Sequence, residues 1–228
     1  MDFFNYHRRP TIDVQIGNIT MGGNHPIVLQ TMTNTNTLDT DASVAQCERI
    51  IAAGAQLIRL TAQGVREAEN LRNIKQQLRD KGYSTPLSAD IHFNPRAAEA
   101  AAKIVEKVRI NPGNFVDKQK TFAQLEYTDE EYLQELQKIR VKVVDFLNVC
   151  KEYGTAVRIG VNHGSLSDRI MSRYGDTPQG MVESCMEYLH IALDEGFTDI
   201  VISMKASNTL LMTKAVRLLV DRMDKENI

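Results

Sequence analysis

Six apolar segments, each followed by a segment with helical periodicity, are the feature that most constrains how this chain folds. Parallel strands are joined by crossover helices, so this alternation predicts a parallel α/β sheet. Four of the helical segments end at a glycine, which takes the left-handed backbone conformation without a steric clash. These glycines are Gly54, Gly82, Gly154 and Gly196.

The segment boundaries follow from the apolar spacing and from helix-capping residues. Strands are expected at 27–32, 57–61, 87–91, 107–110, 156–161 and 199–204. Helices are expected at 41–53, 65–81 and 129–153, and others begin at Asn94-Pro95, Thr177-Pro178 and Ser207. Residues 12–21 alternate around Gly17-Asn18 and predict a β-hairpin ahead of the first unit. Residues 115–128 are expected to form a polar connection.

The ends of the strands decide between two kinds of parallel sheet. Five strands finish in polar residues, which favours a (β/α)8 TIM barrel, where the carboxyl ends of all strands meet at one mouth. An open doubly wound sheet is the alternative, but residues 33–37 after the first strand are not a Gly-x-Gly-x-x-Gly turn. Because six of the eight units are found, the prediction is an incomplete barrel of about six βα units with an N-terminal β-hairpin.

Cationic side chains at equivalent strand positions predict an anion site at this mouth. Strand side chains alternate with period two, so four strands direct a cation to the same side. These cations are Arg59, Arg109, Arg158 and Lys205. The one clear anion, Asp90, cannot balance them, whereas a bound phosphate-bearing anion could. Asn111 and Asn162 lie on the same side and would orient it. The alternative is a set of solvated strand ends with local salt bridges.

Asp90 and His92 share one face of the third strand. They could form a general acid/base pair, which makes Asp90 a candidate catalytic residue. Alternatively, Asp90 orients a neighbouring arginine beside a packed histidine. The sequence leaves both interpretations open.

Charge and cysteine usage exclude several classes of protein. A formal net charge of −2 argues against a nucleic-acid binder or a membrane-surface protein. No apolar run is long enough for a signal peptide or a membrane span, which predicts a cytoplasmic protein. Cys47, Cys150 and Cys185 each lie on an apolar helical stripe and are predicted to be core thiols. No spacing resembles a zinc site, so no metal is expected on this chain.

Seven ordered motifs carry a resemblance to one enzyme family. They are GGNHPI at 22–27, QTMTNT at 30–35, ADIHF at 89–93, RINPGN at 109–114, RIGVN at 158–162, GSL at 164–166 and SMKAS at 203–207. In these motifs the chain resembles the 4-hydroxy-3-methylbut-2-enyl diphosphate synthase family. The resemblance covers nearly the whole chain apart from about residues 115–153.

The resemblance implies the substrate-binding TIM barrel of an iron–sulfur oxidoreductase of non-mevalonate isoprenoid biosynthesis. That family reductively opens 2-C-methyl-D-erythritol 2,4-cyclodiphosphate to 4-hydroxy-3-methylbut-2-enyl diphosphate. It implies a homodimer, a C-terminal domain that holds a 4Fe-4S cluster through three cysteines and a glutamate, and an electron donor such as ferredoxin or flavodoxin. By motif match, the residues at the diphosphate would be Arg59, Arg109, Arg158, Asn162 and Lys205, with Asp90 and Asn111 beside them.

Two departures from the family pattern shape the domain prediction. The segment between Asn114 and Ala156 is longer than in compact bacterial members, as in the long-chain type. The last two barrel strands, the family's barrel glutamate and the cluster domain are absent, so 1–228 is expected to be one TIM-barrel domain, a fragment inactive alone. A pterin-binding, dihydropteroate-synthase-like barrel, suggested by Thr33-Asn34-Thr35, and a non-catalytic interaction module are the alternatives.

Overall fold

The computed structural model describes residues 9–117 and 126–228, and eight strands lie within them. They are Asp13–Ile16 (β1), Ile19–Gly22 (β2), Gln30–Met32 (β3), Leu57–Thr61 (β4), Leu87–Asp90 (β5), Lys107–Ile110 (β6), Ala156–Asn162 (β7) and Ile200–Lys205 (β8). β1 and β2 pair as an antiparallel hairpin, and β3 to β8 form one parallel sheet in sequence order. The predicted α/β TIM-barrel architecture, with its sequential strands and N-terminal hairpin, is confirmed.

Eight α-helices are described around this sheet. They are Thr40–Ala52 (α1), Val65–Asp80 (α2), Pro95–Ala102 (α3), Pro112–Phe115 (α4), Asp129–Tyr153 (α5), Asp168–Tyr174 (α6), Pro178–Asp194 (α7) and Thr209–Lys225 (α8). A 3-10 turn at His163–Ser165 precedes α6. The sequence did not predict α4, α6 or this turn, and the predicted connection at 115–128 lies partly outside the described residues. No helix in the described ranges is long and apolar enough to cross a membrane.

The two faces of the parallel sheet have opposite character. Side chains such as Leu60, Ala89, Val108 and Ile159 point outward and are buried under the helices in one large apolar cluster. Each fully buried leucine, valine or isoleucine of this set contributes about 1.5–3 kcal/mol of transfer free energy. The alternate positions face the concave side of the sheet, which we call the lumen. The outer face therefore holds the helices and leaves the lumen free for polar groups.

The N-terminal hairpin forms the floor of the lumen. Val14 and Ile16 of β1 are buried against Leu57 of β4 and Ala156 of β7, at the amino ends of the strands. Val201 of β8 packs on the same cluster. The hairpin therefore separates the amino end of the lumen from solvent and contacts strands from both halves of the sheet.

Capping residues fix most helix boundaries where the sequence predicted them. Thr128 and Glu131 form a reciprocal capping box at the start of α5, and Gly154 ends that helix at φ 64°. The prediction that Ser207 caps the last helix is wrong, because the Asn208 side chain accepts from the first turn of α8. The first parallel strand begins at Gln30 rather than at residue 27.

A buried ion-pair network joins α5, α6 and α7 outside the lumen. Arg169 of α6 is 2% exposed, and its two Nη atoms donate to the two carboxylate oxygens of Glu187 at 2.6 and 2.7 Å. Its Nη2 also lies 3.3 Å from Asp117 Oδ2, and the guanidinium stacks 4.4 Å from the Tyr132 ring centre. This network anchors the long helix α5 to the barrel.

Candidate functional site

The strand register gathers the predicted site residues on the lumen face. Paired positions in a parallel sheet point to the same side, and Asp90 pairs with Arg109, which pairs with Arg158. Arg59 pairs with Met32 on one side and Ser88 on the other. The alternation read from the sequence is therefore correct for the strands that carry these cations.

Asp90 contacts three of its neighbours at the carboxyl end of β5. Its Oδ1 lies 3.2 Å from Arg109 Nη1 and 3.4 Å from His92 Nε2, and its Oδ2 lies 3.7 Å from Arg59 Nε. Burial alone would raise the pKa of Asp90, but the His92 hydrogen bond and the charges of Arg109 and Arg59 lower it to about 2. A carboxylate ionised at neutral pH does not donate a proton, which favours orientation of Arg109 over acid catalysis. The catalytic role of Asp90 stays a prediction.

Arg109 is held in place by β5 on one side and β7 on the other. It is 5% exposed, and its Nη2 donates to the Gly160 carbonyl oxygen at 2.8 Å. A Cβ atom at Gly160 would lie 2.3 Å from Arg109 Nε, so the space for the guanidinium exists because residue 160 has no side chain. Burial lowers the pKa of Arg109, Asp90 opposes that shift, and Arg59 adds to it.

Arg59 of β4 and Arg158 of β7 flank Asp90 and Arg109 on the two neighbouring strands. Arg59 is half-buried, and its Nη2 lies 3.1 Å from the Met32 sulfur. Arg158 donates from Nε to Ser203 Oγ of β8 at 2.9 Å. Burial and the charges of Arg59 and Arg109 lower the pKa of Arg158, while Asp90 opposes them. Like charges are therefore crowded here.

The other three predicted residues lie farther from this centre. Asn111 is fully buried, where its Oδ1 caps α4 through Gly113 N and its Nδ2 donates to Ser165 Oγ at 2.7 Å. Asn162 pairs with Lys205 at the last position of the β7–β8 register. Lys205 is exposed, and no ion pair joins it to another residue of the described ranges. Asn111 thus shapes the loops around the mouth, whereas Asn162 and Lys205 mark its outer rim.

Lys107, which was not among the residues predicted from the sequence, lies deeper in the lumen. It faces the same side as Arg109, two positions earlier on β6, and is 1% exposed. Its Nζ donates to Gln30 Oε1 at 2.8 Å. Burial and the charges of Arg158 and Arg59 lower the pKa of Lys107 to about 7. The period-two alternation of strand side chains that places Arg109 in the lumen also places Lys107 there, two residues nearer the start of β6.

The lumen-facing side chains of the six parallel strands carry an excess of positive charge. Within the described residues, five cations face one carboxylate, Asp90. The cations are Arg59, Lys107, Arg109, Arg158 and Lys205. Arginine donates bidentately to phosphate oxygens, and partial burial strengthens each contact relative to water. The arrangement is suited to a multiply charged anion.

The three cysteines do not suit a metal cluster. Cys47, Cys150 and Cys185 are free and buried on α1, α5 and α7, as predicted for core thiols. Burial raises the pKa of Cys47 to about 11, with a small contribution from Glu48, and that of Cys185 to about 12. Burial also raises the pKa of Cys150. Since thiolates are the metal-binding form, these groups have the wrong ionisation and position for ligands.

Known structures of low sequence identity share this fold. The truncated form of 3-deoxy-D-arabino-heptulosonate 7-phosphate synthase from Thermotoga maritima matches with a TM-score of 0.55 and 10% identity, over 92% of this chain and 66% of that chain. At this identity the likeness concerns the fold alone.

Curated relatives match the full length of the chain. Proteins named 4-hydroxy-3-methylbut-2-en-1-yl diphosphate synthase (flavodoxin) from Bacteroides fragilis and Parabacteroides distasonis are 66% and 64% identical over 228 residues. The match covers 100% of this chain but 36% and 37% of those relatives, so the chain spans just over a third of their length. The family model of the GcpE TIM-barrel domain matches residues 11–226. In agreement with the resemblance read from its motifs, the chain belongs to the GcpE TIM-barrel domain family.

Proposed function

We propose that this chain is the substrate-binding barrel of a 4-hydroxy-3-methylbut-2-enyl diphosphate synthase. The enzyme reductively opens 2-C-methyl-D-erythritol 2,4-cyclodiphosphate in a two-electron reaction. The observation that carries the proposal is the lumen, in which five cations of the described residues face one described carboxylate, that of Asp90. The names of relatives that are 64–66% identical over the whole chain support the choice of substrate.

In this proposal the lumen arginines hold the diphosphate and the neighbouring groups fix the arginines. Arg109 and Arg158 come from adjacent strands and are paired in register, so their side chains project side by side. Asp90 keeps Arg109 extended into the lumen, and Ser203 does the same for Arg158. Lys205 and Asn162 would complete the rim, and Arg59 would contact the anion from β4.

The redox part of the reaction needs groups that the described residues do not supply. We assign the 4Fe-4S cluster, which would deliver the two electrons, to ligands outside this chain, because Cys47, Cys150 and Cys185 are buried helix-face thiols. The relatives' names include flavodoxin, which favours a flavodoxin over a ferredoxin as the electron donor. A homodimer and a cytoplasmic location are part of the same proposal.

Titration calorimetry of the complete enzyme with the cyclic diphosphate tests this function. Arg109→Ala and Arg158→Ala should each weaken binding roughly ten- to a hundredfold, because each removes a charge-assisted hydrogen bond worth about 1.5–3 kcal/mol. Arg72→Ala is the matched control, because Arg72 is exposed on α2. Arg79 is unsuitable as a control, since its Nη1 donates to the carbonyl oxygens of Tyr83 and Thr85.

The outcomes separate this proposal from its alternatives. If Arg109→Ala and Arg158→Ala bind as tightly as Arg72→Ala, the assignment of the site is wrong. A pterin ligand that binds in place of the cyclic diphosphate would indicate the dihydropteroate-synthase-like function. A complete protein that binds neither ligand would indicate an interaction module. The names of the relatives that match the whole chain favour binding of the cyclic diphosphate over both alternatives.

A further inference from the structure

A buried lysine crosses the lumen between the arginines and the floor. Lys107 starts on β6, and its Nζ reaches Gln30 Oε1 on β3 at 2.8 Å. Two strands, β4 and β5, lie between these positions in the sheet. Below the lysine lies the apolar floor formed by Val14 and Ile16 of the hairpin. Lys107 pairs in register with Ala156, a member of that floor cluster, so the lysine begins at the level of the floor and its ammonium group lies in the lumen beside Gln30.

No carboxylate compensates the charge of Lys107 within the described residues. The charged groups that face it are Arg59 of β4 and Arg158 of β7, both cations. Asp90 of β5 is engaged with Arg109 and Arg59. The remaining elements around it present neutral groups. Gln30 of β3 accepts its hydrogen bond, and its register partners are Ser88 of β5 and Ala156 of β7. The floor cluster that contains Ala156 adds only apolar side chains, among them Val14, Ile16 and Val201. A buried ammonium in such surroundings is costly unless an anion approaches.

The neighbouring Ser88 gives a second, independent sign of a missing polar partner. It pairs with Lys107 in the β5–β6 register and therefore faces the lumen. Ser88 is fully buried, and its Oγ has no hydrogen-bond partner among the described residues. Buried hydroxyl groups in native proteins are nearly always hydrogen-bonded. At this depth Lys107 thus has a neutral partner but no anionic one, and Ser88 has no partner among the described residues; an anionic ligand, or water held beneath it, would provide both.

We propose that Lys107 and Ser88 form the deep end of the anion site, and that Lys107 takes up a proton when the cyclic diphosphate binds. This inference rests on the proposed function, because it names the same ligand and the same lumen. It assigns Lys107 as a binding residue beyond the arginines at the mouth. It also makes substrate affinity depend on pH near neutrality.

The charges around Lys107 determine the direction in which its pKa changes when the ligand binds. In the empty lumen, burial and the charges of Arg158 and Arg59 lower the pKa of Lys107 to about 7. A bound anion favours the protonated amine, so the pKa rises when the complex forms. Each phosphorus of the cyclic diphosphate carries one strongly acidic group that remains ionised at neutral pH. A proton taken up on binding therefore comes to the protein and not to the ligand.

Linkage converts this shift into a dependence of affinity on pH. Below about pH 6 Lys107 is already protonated, so binding takes up no proton and affinity is constant. Above about pH 7 the free enzyme must acquire the proton, so affinity should weaken by up to about tenfold per pH unit. The decline ends once pH exceeds the raised pKa of the complex.

Calorimetry of the complete enzyme at about pH 8, in two buffers of different ionisation enthalpy, measures the proton uptake. Wild type should take up close to one proton per site. Lys107→Met should bind roughly ten- to a hundredfold more weakly with no uptake, because the charge is gone. Lys107→Arg keeps a permanent charge and should bind without uptake. Lys103→Met, at an exposed lysine after α3, should behave as wild type.

Each result decides between this inference and the broader proposal. If wild type binds the cyclic diphosphate without proton uptake, or if uptake persists in Lys107→Arg, the inference is wrong and the proposed function stands. If wild type does not bind this ligand, both are wrong. Should the variants not fold, the pH profile of wild-type affinity remains: a flat profile between about pH 6 and pH 9 overturns the inference.

Discussion

Replacing Gly160 by alanine should weaken anion binding by displacing Arg109. The added Cβ would lie 2.3 Å from Arg109 Nε and 3.1 Å from both Cζ and Nη2. Non-bonded heavy atoms prefer separations of about 3.5–4 Å, so the guanidinium must move by about 1 Å or more. The clash involves the end of a flexible side chain, so we expect Arg109 to shift while the strand keeps its position.

The magnitude follows from the contacts that Arg109 would lose. Moving the guanidinium breaks its 2.8 Å hydrogen bond to the Gly160 carbonyl and turns it away from Asp90 and the ligand. One lost charge-assisted hydrogen bond to the ligand costs about 1.5–3 kcal/mol, which is a roughly ten- to hundredfold loss of affinity. Overpacking of this kind costs about 1–3 kcal/mol of stability, so the melting temperature should fall by several degrees.

Titration calorimetry and thermal unfolding of the complete enzyme measure these two effects. Gly164→Ala is the matched control, because no atom lies within 4 Å of its added Cβ. If the effect passes through Arg109, Gly160→Ala should change affinity little in an Arg109→Ala background, which a double-mutant cycle detects. Full affinity in Gly160→Ala, or the same loss in both backgrounds, would refute the reasoning.

Two further predictions concern stability. Arg169→Met should lower the free energy of unfolding, measured by chemical denaturation, by about 3–5 kcal/mol, because it leaves Glu187 and Asp117 buried without their cation. The control Arg173→Met, whose partner Asp129 is exposed, should cost at most about 1 kcal/mol. Equal losses in the two variants would contradict the prediction. Asp90 has a pKa lowered from 3.8 to about 2, so its stabilisation is present above the unfolded pKa and is lost as pH falls toward 2. Melting curves should therefore show less acid destabilisation in Asp90→Asn than in wild type, and identical pH profiles would argue against it.

The sheet could be predicted from the sequence because its signals are local. The strands Leu57–Thr61 and Lys107–Ile110 have the predicted bounds. Gly54 ends the helix before the first strand, and Pro112-Gly113 stops the second. The same alternation placed Arg59, Arg109 and Arg158 on one side. Where two possible capping residues are adjacent, the sequence does not show which one begins the helix. Ser207 was predicted to cap α8, but Asn208 caps it.

Contacts between strands could not be predicted in the same way. The space that Gly160 leaves for Arg109 depends on the β6–β7 register, and no short stretch of sequence specifies that register. Lys107 was missed because a charged residue at the start of an apolar strand is usually solvated, whereas here the hairpin covers it. The short helix Asp168–Tyr174 has too few residues to show a helical period.

The hairpin that forms the floor of the lumen has a consequence for the order in which the chain is completed during synthesis. β1 is made first, yet the residues that it packs against include Ala156 and Val201, which are made much later. The floor can form only after β7 has been synthesised, and it is complete only when Val201 of β8 packs on it. Until then water reaches the lumen from its amino end and solvates the side chain of Lys107. The ammonium group of Lys107, which no carboxylate of the described residues compensates, is thus buried in a late step of folding.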